Sequence, residues 1–206
     1  MQTLSHDAYL ALRASATVVE RDLHGEKVLR LEDGNYLKLF RRKRLISSAA
    51  WYPYAQRFAD NAAELEKRGI PCPEVTGVSR ISGFSRDAVR YIPLAGRTLR
   101  QVIEADVAPP DLPEKLGRFV ARLHESGIYF RSLHLGNIVL TPSGALGLID
   151  VADLRTQNRA LDNNQRKRNL LRLHRDPPDC FWLSGERKNI FDSSYASRLN
   201  GNTDKD

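Results

Sequence analysis

Asn137, Asp150 and Lys38 carry the side-chain types that could bind a divalent cation and a phosphate group. Asn137 and Asp150 stand thirteen residues apart, and amide and carboxylate oxygens are hard ligands of the kind that Mg²⁺ takes. The ammonium group of Lys38 could neutralise phosphate oxygens. Each residue also has an ordinary explanation: an exposed strand lysine, a turn residue at the start of a hairpin and a cap at the end of a strand. Residue type alone leaves both explanations open.

The segment 130–137, which reads Phe-Arg-Ser-Leu-His-Leu-Gly-Asn, adds a hydroxyl group and an imidazole. The hydroxyl of Ser132 is too weak a base at neutral pH to accept a proton from an alcohol. The imidazole of His134 could do so, because its unperturbed pKa is about 6.5. The alternative for His134 is a packed or solvated loop histidine. Asp153 could add a carboxylate to a cation site, or it could be a solvated loop acid.

Alternating and helical patterns predict the elements that must position these residues. Residues 1–94 read as a small antiparallel sheet of five strands with one helix, and residues 95–206 read as mainly helical. In the third predicted strand, Lys38 shares a face with Tyr36 and Phe40. The predicted strands are 17–23, 26–31, 35–40, 74–81 and 88–93, with a helix over 54–69. The later predicted elements are helices over 98–105, 110–127, 163–175 and near 189–199, with a hairpin of 137–140 and 145–149.

Basic residues are concentrated in two stretches. The chain carries 32 Lys and Arg against 25 Asp and Glu, a net charge of +7. Residues 35–44 hold five basic residues and no acid, and residues 155–175 hold seven basic residues and one acid. The summed net charge of these two stretches exceeds that of the whole chain. Such concentrated positive charge favours an anionic partner such as nucleic acid, a membrane surface or a phosphorylated ligand. A solvated basic surface is the ordinary alternative.

The order of these features resembles the protein-kinase-like fold, a two-lobed α+β fold with a five-stranded N-lobe and a helical C-lobe. The segment 130–137 aligns with the kinase pattern H-R-D-L-x-x-x-N, and Arg131, Leu133 and Asn137 match in register. Asp150 falls where the D-F-G aspartate stands. Within that fold, the segments LKLFRRKR, RGIPCPEV and RSLHLGNIVLTPSG resemble those of bacterial lipopolysaccharide-core sugar kinases and the related toluene-tolerance proteins.

The resemblance implies ATP and Mg²⁺ as cofactors. Lys38 would bind the ATP phosphates, and Asn137 and Asp150 would ligate Mg²⁺ and so contribute to nucleotide binding. Asn61 would lie near the position of the helix glutamate that pairs with the kinase lysine. The alternatives at that position are Asp60, Glu64 and Glu66.

The resemblance also places Arg131, Ser132 and His134 at the catalytic positions. Ser132 stands where the family has its catalytic aspartate, and a positioned base typically contributes about 10²–10⁴-fold to the rate. No G-x-G-x-x-G occurs between residues 10 and 31, which contain only Gly25. These departures predict weaker nucleotide binding and slow transfer.

The implied function is ATP-dependent transfer of phosphate to a hydroxyl of an anionic saccharide, with lipopolysaccharide core as the partner. The basic residues 41–44, together with Arg155 and Arg159, would meet its phosphate and carboxylate groups or an anionic inner membrane. The alternative is a pseudokinase that serves as a nucleotide-binding or scaffold module in envelope biogenesis. Nucleic acid is not expected, because no recognised binding motif accompanies the charge.

The remaining signals predict a cytoplasmic chain. No window approaches 18 apolar residues, and the first residues lack the pattern of a secretory signal. The two cysteines, Cys72 and Cys180, have no ligand spacing, and reduced thiols are expected.

Overall fold

The computed structural model describes residues 1–42 and 52–201, which form two compact units of mixed α+β structure. Leu94 and Ala95 fall in different units, and each unit also contains a short segment from the other half of the chain. The assignment of 1–94 and 95–206 to the two lobes of a kinase-like fold stays a prediction. The first unit consists of Met1–Lys67, Cys72–Leu94 and Val151–Asp153, and the second of Arg68–Pro71, Ala95–Asp150 and Leu154–Asp206.

The described part of the first unit is built on a six-stranded sheet. Its strands are β1 (Gln2–Leu4), β2 (Thr17–Asp22), β3 (Gly25–Arg30), β4 (Tyr36–Arg41), β5 (Glu74–Ile81) and β6 (Arg86–Ile92), and its helices are α1 (His6–Ser15) and α2 (Tyr54–Lys67). The strand order is β1-β5-β6-β4-β3-β2. Neighbouring strands are antiparallel, except that β1 runs parallel to β5.

The prediction of a five-stranded antiparallel sheet with one helix is therefore wrong in two respects. β1 adds a parallel edge strand, with Gln2 opposite Ser79. A strand of three residues is too short for alternation to show, and its partner lies far away in the chain. Helix α1 was also missed, although its start carries a signal: the Ser5 hydroxyl accepts a hydrogen bond from the Ala8 amide at 3.1 Å, as N-cap residues do.

The two faces of this sheet pack against different helices. On one face, Leu37 of β4 and Tyr9 of α1 belong to the same buried apolar cluster. On the other face, the ring of Phe40 lies 6.3 Å from the ring of Phe58 on α2. Because side chains alternate along a strand, Lys38 lies on the same face as Phe40, towards α2.

The second unit contains mainly helices, together with short strands that form a three-stranded and a two-stranded sheet among the described residues. Its strands are β7 (Arg97–Thr98), β8 (Ile128–Phe130), β9 (Ile138–Leu140), β10 (Leu146–Leu148) and β11 (Leu154–Thr156). Its helices are α3 (Leu99–Glu104), α4 (Leu112–Glu125), α5 (Asn163–Leu173), α6 (Pro177–Trp182) and α7 (Gly185–Gly201), with a 3₁₀ turn over Leu135–Asn137. A second 3₁₀ turn, Val151–Asp153, belongs to the first unit.

Helices α4 and α7 pack closely in the core of the second unit. A Cβ atom added at Gly117 of α4 would lie only 2.5 Å from the backbone oxygen of Phe191 on α7. Leu116, Val120 and Phe191 are almost fully buried there. Cys72 and Cys180 are both free cysteines. Within the part of the chain that the structure describes, no helix is long and apolar enough to cross a bilayer.

Candidate functional site

The hairpin of β9 and β10 joins Asn137 to the residue that precedes Asp150. Ile138 pairs with Leu148 across the hairpin, and the amide of Ile149 donates a hydrogen bond to the backbone oxygen of Asn137 at 3.0 Å. The spacing of thirteen residues is therefore spanned by one tight hairpin. As a result, Asn137 and Asp150 both lie at the open end of the β9–β10 hairpin in the second unit.

Asp150 has an unusual backbone conformation. Its φ is 55°, in the left-handed region that L-residues other than Asn, Asp and Gly seldom occupy. Its side chain is exposed, so burial does not hold it in this conformation. Strained backbone of this kind is concentrated at functional sites, where a side chain must be aimed in a particular direction.

Asn137 is 8% exposed, and it uses its nitrogen atoms to hold the loop that precedes it. Its Nδ2 donates to the backbone oxygen of Ser132 at 3.0 Å. Its backbone amide donates to the backbone oxygen of His134 at 2.9 Å. These bonds fix the orientation of the carboxamide and leave its Oδ1 as the atom that could ligate a cation.

The chemistry of this donor set fits Mg²⁺. Asn137 offers a neutral amide oxygen and Asp150 an exposed carboxylate, and Mg²⁺ typically takes one or two carboxylates while keeping several waters. The metal role of both residues stays a prediction that the donor chemistry supports.

The residues at the predicted catalytic positions lie in the loop between β8 and the 3₁₀ turn. Ser132 is half-buried, and its backbone oxygen accepts the bond from Asn137. Arg131 is exposed and points into a surface pocket lined by Tyr129 and Arg155. The catalytic roles of Ser132 and Arg131 stay predictions.

His134 contacts a polar cluster on the other side of this loop. One of its ring nitrogens lies within 4.8 Å of carboxylate oxygens of Asp176 and Asp179. A Cβ atom added at Gly136 would lie 3.1 Å from His134 Nδ1 and 3.3 Å from a guanidinium nitrogen of Arg100. His134 thus packs against Gly136 beside this cluster, which gives it a structural role whether or not it also acts as a base.

Arg100 neutralises the two aspartates of the cluster. Its Nε and Nη2 donate to both carboxylate oxygens of Asp179 at 3.0 and 2.9 Å, and Nη2 also donates to Asp176 at 2.7 Å. The hydrogen bonds that Arg100 donates to Asp179 raise the pKa of Arg100, and the bond that it donates to Asp176 lowers the pKa of Asp176. Asp179 also accepts a hydrogen bond from the amide of Leu135 at 2.9 Å, so the cluster anchors the loop to α6.

His134, Asp176 and Asp179 are close enough together to hold a metal ion. The guanidinium group of Arg100 already occupies the oxygen atoms that such an ion would need. We therefore interpret this triad as a structural ion-pair cluster, and we refer to Arg100, Asp176 and Asp179 below as the loop anchor.

Lys38 and Asn61 lie in the first unit. Lys38 is 7% exposed, and its Nζ lies 5.9 Å from the centre of the Phe40 ring. Asn61 of α2 donates from Nδ2 to the backbone oxygen of Val151 at 2.7 Å. Asn61 thus ties α2 to the 3₁₀ turn that follows Asp150 in the chain and that also contains the half-buried Asp153.

The acidic alternatives on α2 make local contacts. Asp60 accepts hydrogen bonds from the Tyr52 hydroxyl at 2.7 Å and from Gln56 at 2.9 Å. Glu64 forms an i, i+3 ion pair with Lys67 at 2.9 Å, and Glu66 is exposed. The contacts of Asp60 with Gln56 and of Glu64 with Lys67 are i, i+4 and i, i+3 pairs along the helix.

The turn between β2 and β3, where a glycine-rich loop would lie, is braced by Arg86. The guanidinium group of Arg86 donates to the backbone oxygens of Glu26 and His24. Gly25 has φ of 104°, and a Cβ atom there would lie 3.3 Å from Arg86 Nη2. The turn is therefore fixed by protein contacts.

The two basic stretches behave differently. Arg41 is exposed, Arg42 donates to the backbone oxygen of Phe84 at 2.7 Å, and residues 43 and 44 lie outside the described residues, as does Trp51. In the second stretch, Arg155 lines the surface pocket beside Arg131. Arg159 is exposed, and its backbone oxygen accepts a hydrogen bond from Gln157.

The sequence interpretation missed the loop anchor entirely. Arg100 and Asp179 are separated by 79 residues, and no local pattern pairs them. The one local signal nearby is the Pro177-Pro178 pair, which begins α6, because proline is well tolerated in the first turn of a helix.

Comparison with known proteins gives fold-level information. No protein-family model matches the chain, and no curated protein matches it significantly. Among solved structures, the chain is similar to a medium-resolution structure of the bifunctional kinase-methyltransferase WbdD, with a TM-score of 0.51 and 15% sequence identity. The match covers 94% of this chain but only 44% of the WbdD chain. At this identity the likeness shows a shared fold, that of a kinase-containing protein.

Proposed function

We propose that this chain is an ATP- and Mg²⁺-dependent phosphotransferase that acts on a hydroxyl group of an anionic saccharide of the lipopolysaccharide-core type. The observation that carries the proposal is the linkage of Asn137 to Asp150 through the Ile149–Asn137 hydrogen bond of 3.0 Å. The left-handed backbone of Asp150 and the likeness to a kinase-methyltransferase support it.

The chain's residues would divide the work of phosphoryl transfer, which consists mainly of positioning and charge neutralisation. When bound, ATP supplies the phosphoryl group and Mg²⁺ offsets the charge of its phosphates. Asn137 and Asp150 would hold the metal, and Lys38 would bind phosphate oxygens. Asn61 would fix the turn after Asp150 through its bond to Val151.

Ser132 sets the expected rate. Since its hydroxyl cannot serve as a general base at neutral pH, Ser132 would not supply the factor of about 10²–10⁴ that a positioned base contributes, and His134 is the candidate for that role. The remaining rate would come from alignment and electrostatic stabilisation. We therefore expect slow but measurable turnover.

The acceptor and the place of action follow from the charge and the family resemblance. Arginine binds phosphate and carboxylate groups in a bidentate way, and a lipopolysaccharide core is rich in both. The proposal places the chain in the cytoplasm, with peripheral contact to the anionic inner membrane. It includes no nucleic acid partner.

A thermal-shift titration with ATP and MgCl₂ tests nucleotide binding. Ligand at about 100 times its Kd stabilises by about 2.7 kcal/mol, which for a chain of this size raises Tm by about 5–10 °C. Lys38→Ala and Asp150→Ala should abolish the shift. The matched controls Lys115→Ala and Asp106→Ala should keep it, because Lys115 is an exposed helix residue and Asp106 has almost the same φ, 54°, outside the site. The absence of a thermal shift of the wild-type protein at millimolar MgATP would contradict the proposal.

Transfer itself is measured with radiolabelled ATP and purified core oligosaccharide. We expect label in the oligosaccharide at a slow rate that depends on Mg²⁺. No transfer under any divalent metal, despite a positive thermal shift, would contradict the enzymatic part and leave nucleotide binding in place.

A pseudokinase is the second candidate, and a specific observation favours it. The base position holds Ser132, and the β2–β3 turn is braced by Arg86. Introduction of the missing base by Ser132→Asp discriminates between the two functions. An inert wild type whose Ser132→Asp variant gains transfer supports the scaffold, whereas measurable wild-type transfer supports the enzyme.

A further inference from the structure

A polar pocket lies on the second unit, between the β8–β11 ribbon and the start of α5. It encloses about 480 Å³, within the range of small-molecule sites. Lys38, Asn137 and Asp150 do not line it, so it is distinct from the proposed nucleotide residues. Its polar and aromatic lining comprises Tyr129, Arg131, Arg155, Gln157, Gln165 and Arg168.

The lining of this pocket contains three arginines and no carboxylate. Arg131, Arg155 and Arg168 line it, and no acidic residue does. Within residues 1–42 and 52–201, none of the three forms a side-chain hydrogen bond or an ion pair. By contrast, Arg13 pairs with Glu26, and Arg100 pairs with two aspartates. Converging cations with no internal counter-ion favour an anionic ligand.

The ribbon and α5 hold the arginines in place. Arg155 lies directly opposite Tyr129 in the β8–β11 ladder. Gln165 and Arg168 stand three positions apart on α5, so they share one face of the helix. Part of the pocket wall is therefore built from regular secondary structure, and Arg131 and Gln157 follow directly on β8 and β11.

A pair of glutamines fixes the remaining wall. Gln157 Nε2 donates to the backbone oxygens of Arg159 and Ala160 at 3.1 and 2.9 Å, and Gln165 Nε2 donates to Gln157 Oε1 at 3.3 Å. A Cβ atom added at Gly127 would lie only 2.2 Å from the backbone oxygen of Gln157. This close backbone contact and the glutamine bonds preorganise the pocket, which lowers the ordering cost of binding.

We infer that this pocket binds the phosphate group of a phosphorylated saccharide. A phosphate monoester carries close to two negative charges and three acceptor oxygens, and each guanidinium group offers a planar fork of donors that matches two of them. The Tyr129 hydroxyl and the glutamine side chains provide neutral polar groups for sugar hydroxyls. The inference goes beyond the proposed function, since it requires neither ATP nor transfer.

Calorimetric titration of the full chain at low ionic strength tests the inference, with glucose 6-phosphate, inorganic phosphate and glucose as probes. We expect saturable binding of glucose 6-phosphate, weaker binding of phosphate and none of glucose. The double variant Arg155→Gln/Arg168→Gln should weaken glucose 6-phosphate binding at least tenfold. Lys167→Gln removes one charge from the adjacent, exposed position of α5. This control should change the affinity for glucose 6-phosphate less than twofold. Circular dichroism checks that each variant is folded.

Several results would overturn the inference. No binding of either phosphate compound by the folded wild type would remove the site. Equal losses from Lys167→Gln and from Arg168→Gln alone would show diffuse surface attraction instead of a pocket. Equal affinity for phosphate and glucose 6-phosphate would show that the pocket does not recognise the saccharide part of the ligand. Loss of glucose 6-phosphate binding in Lys38→Ala would show that the phosphate binds at the residues proposed for ATP. Unchanged binding in Lys38→Ala supports a separate pocket, even if the proposed kinase function fails.

Discussion

The loop 131–137 is held at two ends, and the two ends use similar polar groups in opposite ways. At the hairpin end, Asn137 is fixed by bonds from its nitrogens, and the chain continues to the exposed Asp150. At the anchor end, the carboxylate of Asp179 is 2% exposed and accepts hydrogen bonds from Arg100 and from the Leu135 amide.

This difference separates a structural role from a functional one. A buried carboxylate whose charge is matched by a guanidinium group and a backbone amide is satisfied within the protein, and its loss is felt as lost stability. An exposed carboxylate on a left-handed backbone is not held in place by burial, and such conformations are concentrated at functional sites. Asp179 is the buried carboxylate of this comparison, and Asp150 is the exposed one.

The largest stability effect should come from the anchor end. Asp179→Asn keeps the shape and an oxygen for the Leu135 amide, but it places an uncharged amide against Arg100. Breaking a buried pair from one side typically costs about 3–5 kcal/mol. Because Arg100 is 32% exposed, we expect a cost of about 3 kcal/mol in the free energy of unfolding measured with urea.

Asp176→Asn is the matched control for this prediction. Asp176 contacts the same guanidinium group but is 39% exposed, and exposed ion pairs contribute about 1 kcal/mol or less. If the two variants lost equal stability, the distinction between a buried anchor and its exposed partner would be wrong.

The sequence predicted local elements well and distant pairings badly. Most predicted helices and strands of the described chain end within two residues of the observed ones, because hydrophobic periodicity and glycine punctuation are local signals. The last helix, expected near 189, begins at Gly185. The parallel pairing of β1 with β5 and the bond from Leu135 to Asp179 depend on residues distant in the chain, which no local pattern encodes.

In the candidate site, too, local features could be predicted from the sequence and contacts between distant residues could not. The hairpin that links Asn137 to Asp150 could be predicted from the turn residues between them. The bond from Asn61 to Val151 spans 90 positions, so only the family resemblance marked Asn61, and it did so for a different partner. Arg155 and Arg168 were visible only as part of the basic stretch 155–175, and Arg131 lies outside that stretch. The pairing of β8 with β11, which brings the segments of Arg131 and Arg155 together, is set by tertiary structure.

A buried histidine of the second unit adds a titratable group to the comparison. His124 is fully buried, and its Nδ1 lies 2.7 Å from the Tyr195 hydroxyl. Its Nε2 lies 3.2 Å from Asn169 Oδ1, while Asn169 Nδ2 donates to the Phe130 oxygen at 2.5 Å. Because that bond fixes the Asn169 amide, Nε2 of His124 donates to Asn169 Oδ1. In the neutral imidazole, Nδ1 then accepts a hydrogen bond from the Tyr195 hydroxyl.

The burial of His124 predicts acid sensitivity of the second unit. Desolvation lowers the pKa of His124 from 6.5 to about 4. The neutral form therefore stabilises the fold fully above about pH 6.5, and that contribution is lost as the pH falls towards 4. Linkage between these pKa values gives a loss of about 2 kcal/mol between pH 7 and pH 5. Urea unfolding at both pH values should show a smaller loss in His124→Gln than in the wild type. An equal pH dependence in the two proteins would contradict the assignment.

The smallest stability effect, and the sharpest separation of stability from function, should come from Asp150. A left-handed conformation costs an L-residue about 1–2 kcal/mol relative to glycine, and the greater unfolded-state entropy of glycine returns about 0.5–1 kcal/mol of that difference. The backbone change in Asp150→Gly should therefore contribute between zero and about 1 kcal/mol of stability, and the variant should abolish the thermal shift with MgATP. Asp106→Gly, at φ of 54°, should change stability by a similar amount and keep the shift. A clear loss of stability in Asp150→Gly alone would mean that the aspartate supports the fold as the anchor does, and the contrast between the two ends of the loop would then be wrong.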